Sequence, residues 1–167
     1  MKIKPYIKKI NNVINTFIKT SINEEYQAFM GSNFCAHLDD NKIEWTLLYA
    51  DEDGKAFYDN FVSRFPIANK LGLFTVSVLH EIGHFETEDE IEDDTDLRNL
   101  ELTNEEYFNL FNERIATEWA GNWIMENTNL ATAFDREVYN AIFEMYDKAL
   151  DKNFKKPLDI IQKTYYN

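Results

Sequence analysis

His80-Glu81-Ile82-Gly83-His84 falls inside a strongly apolar stretch running from Ile67 to Phe85. Leu71, Phe74, Val76, Val78, Leu79, Ile82 and Phe85 spread around several sides of the segment, which predicts a helix that is buried. Two imidazoles and a carboxylate are thereby carried to a place where charge is unfavourable unless something compensates it, and a metal ion would do so. Residues four apart on an α-helix are separated by about 40° around its axis, so His80 and His84 face one point. Two such nitrogens can reach one Zn2+ at about 2.0–2.1 Å. Glu81 flanks that point and is placed to take a proton from water held there.

Catalytic zinc usually takes three protein ligands and keeps one position open. One downstream segment is suited to supply the third, Asn112-Glu113-Arg114-Ile115-Ala116-Thr117-Glu118-Trp119-Ala120-Gly121-Asn122-Trp123-Ile124. Two acids compete. On a helix, Phe108, Phe111, Ile115, Trp119 and Trp123 form the main apolar face. Glu113 lies on a flank with Ala116, Thr117, Ala120 and Ile124, where small residues let another helix come close. Glu118 lies on the other flank with Arg114, Gly121, Asn122 and Met125, in position for an i,i+4 ion pair with Arg114. Glu113 is the preferred third ligand and Glu118 the alternative.

HEIGH followed some thirty residues later by ERIATEWAGNWIM resembles the ImmA/IrrE-type metallopeptidases of the wider gluzincin group, across about residues 71–126. The resemblance implies His80 and His84 as histidine ligands, Glu81 as general base and Glu113 as third ligand. Thr117 stands where that family commonly has Asn or Asp, at the position whose side chain orients a ligating histidine. The proline that often closes the second motif is absent, since Glu126 follows Met125. Short proteins of this pattern also resemble those of phage and mobile elements.

The rest of the chain reads as one domain over residues 1–167. At 167 residues, 44% apolar and 28% charged, it has ordinary globular composition and enough length to bury a core unaided. Ile3, Ile7, Ile10, Ile14, Phe17 and Ile18 recur at helical spacing, predicting an amphipathic helix packed on that core with its lysines in water. Phe34–Leu38 and Ile43–Tyr49 flank the turn cluster Asp39-Asp40-Asn41 and predict a β-hairpin. A short helix over 55–65 should stop near Pro66. Thr103-Asn104-Glu105-Glu106 is a capping-box pattern opening a helix expected to run to about Asn127. A further helix is expected over 135–154, with a last short one beyond Pro157.

Thirty acids against 17 bases give a net charge of −13, which disfavours binding to a phosphate backbone. Eight of those acids fall in residues 86–96. That run reads as a solvated loop, with a lid selecting basic peptides or a Ca2+ site as alternatives; it lacks the glycine and spacing of an EF-hand. The single Cys35 forms no internal disulfide and points to a reducing compartment. With no signal-like or membrane-spanning stretch, we expect a cytoplasmic protein that binds neither membrane nor nucleic acid.

The expected fold is α+β and mostly helical, a minimal zincin-like domain with a small antiparallel sheet packed against the active-site helix and the ligand helix. The expected function is zinc-dependent cleavage of a protein or peptide substrate that lies along an exposed edge of the sheet. A further electrophile beside the zinc is expected among Tyr107, Tyr139, Tyr146 and His37. The alternative is an acidic, non-enzymatic interaction or inhibitor protein encoded by a mobile element, with a structural zinc.

Overall fold

The structure, a computed structural model, describes residues 4–47, 52–90 and 101–149. It opens with helix α1 (Lys4–Phe17), which continues as a single wide turn over Ile18–Ile22. Pro5 sits in the first turn, where its missing N–H has no partner to lose. Ile10, Ile14, Phe17 and Ile18 are buried as the spacing predicts, and the helix lies on the core. Asn23, in a left-handed conformation, ends the wide turn.

Three short strands follow, β1 (Gln27–Met30), β2 (Cys35–His37) and β3 (Lys42–Trp45). The expected hairpin is present: β2 runs antiparallel to β3, with Ala36 opposite Ile43, around a turn closed by left-handed Asn41. β1 joins the other side of β3 in parallel, with Ala28 opposite Ile43, so the sheet is mixed and ordered β1-β3-β2. The mostly helical α+β class holds, while the purely antiparallel sheet is corrected by this third strand. β1 returns beside β3 because it is tied to α1: the Asn15 side chain accepts from the Ala28 N–H at 2.8 Å. Trp45, fully buried, donates its indole N–H to Asn11 on the same helix at 2.7 Å. β1 is therefore held on α1, and β2 is the opposite edge.

Helix α2 (Glu52–Arg64) ends before Pro66 as expected. Helix α3 (Leu73–Glu86) carries the His-Glu-His motif, and every residue from Leu73 to Gly83 is buried. The predicted helix over 103–127 is two helices, α4 (Asn104–Phe108) and α5 (Phe111–Glu126). The capping box forms, with Thr103 and Glu106 bonding reciprocally. The break comes at Asn109, whose side-chain amide caps the Glu105 carbonyl at 2.8 Å, and at Leu110, whose ψ of 145° is extended. Helix α6 (Thr128–Ala149) packs along α1 and completes the core with Ala131, Phe134, Val138, Ala141, Ile142 and Met145.

The expected face of α5 also needs correction. Phe111 is exposed, Trp119 and Trp123 are half-buried, and the buried side is Glu113, Ala116, Thr117, Ala120, Gly121 and Ile124, with Ile115 at its margin. Close approach decides this: a Cβ placed on Gly83 of α3 would stand 2.5 Å from the Ala116 carbonyl oxygen. Small residues on both helices bring the backbones together, and the rings are left at the rim. The acidic run enters as a short turn at Glu88–Glu90; its remainder, residues 91–96, and the helix expected after Pro157 lie outside the described residues. No helix among the described residues is long and apolar enough to cross a membrane.

Candidate metal centre

The close packing of α3 on α5 brings His80, His84 and Glu113 together in one buried group that could hold a metal ion. His80 Nε2 lies 3.0 Å from Glu113 Oε2 and 3.1 Å from His84 Nε2, and His84 Nε2 lies 3.6 Å from Glu113 Oε1. Ligands about 2.0–2.1 Å from a tetrahedral ion stand about 3.3–3.4 Å from one another, so these separations match the edges of such a site. The donor set, two imidazoles and one carboxylate, suits zinc and comparable transition metals better than Ca2+ or Mg2+, which prefer oxygen.

Two contacts orient the group. Thr117 donates its hydroxyl hydrogen to the Glu113 carbonyl at 2.7 Å, one turn back on α5. Its oxygen is then an acceptor for His80 Nδ1, 3.1 Å away. In the neutral imidazole this assigns the proton to Nδ1 and leaves the Nε2 lone pair facing Glu113 and His84; in the protonated form Nε2 donates to Glu113 instead. The ring of Phe57, on α2, meets His80 edge-on at a centroid distance of 4.9 Å and fixes its plane from the other side.

Charge is balanced within the group. Burial pushes the Glu113 carboxyl up, but the hydrogen bonds and charge of His80 and His84 outweigh it and hold the carboxyl far below its ordinary range. Burial pushes His84 down, yet Glu113 and Glu81 raise it above its ordinary value. Glu81 is 7% exposed, and burial drives its carboxyl up despite the two imidazoles and a backbone hydrogen bond donated by Ala36. Ala36 belongs to the edge strand β2, so Glu81 stands between the imidazoles and the free side of the sheet.

Of the two acids weighed as third ligand, Glu113 joins the cluster and Glu118 is exposed on the far side of α5. Arg114, expected beside Glu118, lies over the Phe111 ring instead, 5.7 Å from its centroid. His37 is engaged by Glu44 at 3.0 Å, and Tyr139 stacks on Phe143 at 6.1 Å. The Tyr146 side chain lies outside the described residues. Tyr107 reaches the group: its hydroxyl donates to Glu113 Oε1 at 3.0 Å. The Phe57 ring and the Ala36 N–H were not anticipated, because both come from segments remote in sequence with no periodicity linking them to α3. Comparison of the chain with family models, curated proteins and solved structures finds no match.

Proposed function

We propose that this chain is a zinc-dependent endopeptidase of the gluzincin type, acting on a protein or peptide substrate in a reducing compartment such as the cytoplasm. The observation that carries the reading is the convergence of His80, His84 and Glu113 with Glu81 held on the same buried turn. Three protein ligands among the described residues, rather than the four of a structural site, favour catalysis over scaffolding. The ImmA/IrrE-type resemblance of residues 71–126 agrees with this set.

A zinc ion at this site supplies Lewis acidity and makes a nearby water more acidic. The chain's own residues do the rest. His80, His84 and Glu113 hold the ion, with Thr117 fixing the His80 tautomer. Glu81, made more basic by burial, takes a proton from the attacking water and passes it to the leaving amine. The free edge of β2 bonds an extended substrate backbone beside Glu81.

The test is cleavage of heat-denatured casein by zinc-loaded protein, with new termini read by mass spectrometry. Wild type should cut and Glu81→Gln should not, while keeping its zinc. Zinc binding with no cleavage by wild type would favour the alternative, an acidic interaction protein with a structural zinc, and would overturn the peptidase reading.

A further inference from the structure

Helices α2 and α4 border an open cleft of about 330 Å³. α2 lines it with Ala56 and Asn60, one turn apart; α4 lines it with Asn104 and Phe108, one turn apart, and with Glu105 and Asn109 beside them. Ala56 makes the room, because its side chain is a single methyl. The Phe108 ring is the apolar wall. It lies 5.6 Å from the Phe57 ring, whose edge meets His80 at 4.9 Å. Laid end to end, these separations put Phe108 within about 10.5 Å of the His80 imidazole, a span of about three residues of extended chain. The polar lining is carboxylate and carboxamide, with no cationic side chain in it. Glu105 forms no ion pair among the described residues. Asn109 donates its side-chain N–H to the Glu105 carbonyl at 2.8 Å, so its Oδ1 is left as an acceptor. That oxygen takes a guanidinium N–H from exposed Arg64 at 3.4 Å. The capping box at Thr103 and Glu106 fixes the turn that carries all four α4 residues.

We propose that this cleft binds a basic side chain of the substrate, a guanidinium or an ammonium, about three residues from the scissile bond. The inference rests on the peptidase reading above and gives it a substrate class. Three requirements of a cation site meet here. The Glu105 carboxylate supplies charge, Asn109 Oδ1 supplies a fixed acceptor, and the Phe108 ring supplies a face that attracts a cation. The long apolar arm of a lysine or arginine lies along Phe108 and Ala56, and its charged head reaches the polar end. An acidic side chain would meet Glu105 and a protein of net charge −13. An apolar one would cover the carboxylate and the amide oxygen without bonding either. The long contact from Arg64 is an exposed one, which an incoming guanidinium can replace. The Phe57 and Phe108 rings separate the cleft from the ligand group, so it selects substrate and takes no part in bond breaking.

The experiment maps the cuts made by zinc-loaded wild type in heat-denatured casein by mass spectrometry. Arginine and lysine should be enriched about three residues from the cut. A quenched-fluorescence peptide copied from such a site is then made with arginine, with citrulline, its uncharged isostere, or with glutamate at that position. In wild type the arginine peptide should exceed the citrulline peptide by about tenfold in kcat/KM, and the gap should narrow in high salt. Taken within one variant, this ratio is insensitive to any loss of folded protein. It should fall to about threefold in Glu105→Gln and close to one in Ala56→Leu, whose side chain fills the cleft. Glu105→Lys should favour the glutamate peptide instead. Acetyl-arginine amide added to wild type should move the NMR signals of the Asn60, Asn104 and Asn109 side-chain amides, which reads the cleft without cleavage. A ratio of one in wild type, an unchanged ratio in Glu105→Lys, or no movement of those signals would overturn this inference while leaving the peptidase reading in place. No cleavage by wild type would overturn the peptidase reading and this inference with it.

Discussion

Thr117 shows how one hydroxyl can set the state of a neighbouring ligand. Its hydrogen is committed to the Glu113 carbonyl and its oxygen to His80 Nδ1, so the imidazole has one tautomer available. Thr117→Val keeps the shape and removes both bonds; zinc affinity should fall by about 10–100-fold with little change in fold, as measured by competition with a chromophoric chelator. Glu44 carries a different consequence. Burial pushes its carboxyl up, but the hydrogen bond to His37 and the N–H groups of Asn33 and Ser32 outweigh burial and leave it below its ordinary value. A carboxyl whose folded value is lowered adds stability that is complete above its unfolded value of about 4.3 and is lost as pH falls through the folded one. Melting temperature followed from pH 6 to pH 3 should therefore drop more steeply in wild type than in Glu44→Gln; equal slopes would show that the Glu44 contacts contribute nothing in solution.

The α3–α5 pair depends on what is missing at Gly83. In an exposed helix, Gly→Ala would gain about 1 kcal/mol of propensity. Here the new methyl meets the Ala116 carbonyl at 2.5 Å, and overpacking of this kind costs about 1–3 kcal/mol. Gly83→Ala should lower the melting temperature and, by shifting α5, weaken zinc binding more than a surface substitution does. The start of α3 is held from α6: Asp135 accepts from the Gly72 N–H at 3.0 Å and the Thr75 hydroxyl at 3.2 Å, and a Cβ at Gly72 would collide with its carboxylate. A carboxylate there also suits the positive end of the helix dipole. Asp135→Ala should cost about 0.5–2 kcal/mol, read by urea unfolding, with Asp135→Asn costing less. The ligand helices were legible because i,i+4 spacing carries geometry within one helix, and because the small-residue flank of α5 pointed to Glu113 over Glu118. The buried face of α5 was misread because ring size was weighed above closeness of approach. The break at Asn109–Leu110 rests on a side-chain cap and one extended ψ, neither of which alters hydrophobic period. β1 was missed because four residues with one buried position give too little alternation, and its parallel pairing with β3 is fixed by contacts to α1.

Among the described residues α3 is packed by α5, α6 and α2, and by the sheet, whose edge strand β2 bonds Glu81 through Ala36. Metal held by the buried cluster of two imidazoles and a carboxylate would be coupled to folding: an ion that binds only the native state stabilises it by about 2.7 kcal/mol at one hundred times its Kd. In a chain of this size that corresponds to a rise of roughly 5–11 °C in melting temperature, reversed by a chelator. His80→Ala should abolish the rise, since one of three ligands is gone. Net charge does not supply the site's character; the acids of the surface are spread outside it, and the buried ones are Glu81 and Glu113 among the described residues. Three side chains from two helices, His80, His84 and Glu113, form one candidate metal site. Calorimetric titration of Zn2+ into chelator-treated protein tests this directly. One ion per chain should bind to wild type, Glu81→Gln and Glu118→Ala with closely similar affinity, and Glu113→Ala should bind orders of magnitude more weakly. Undiminished zinc affinity in Glu113→Ala, or no uptake by wild type, would contradict it.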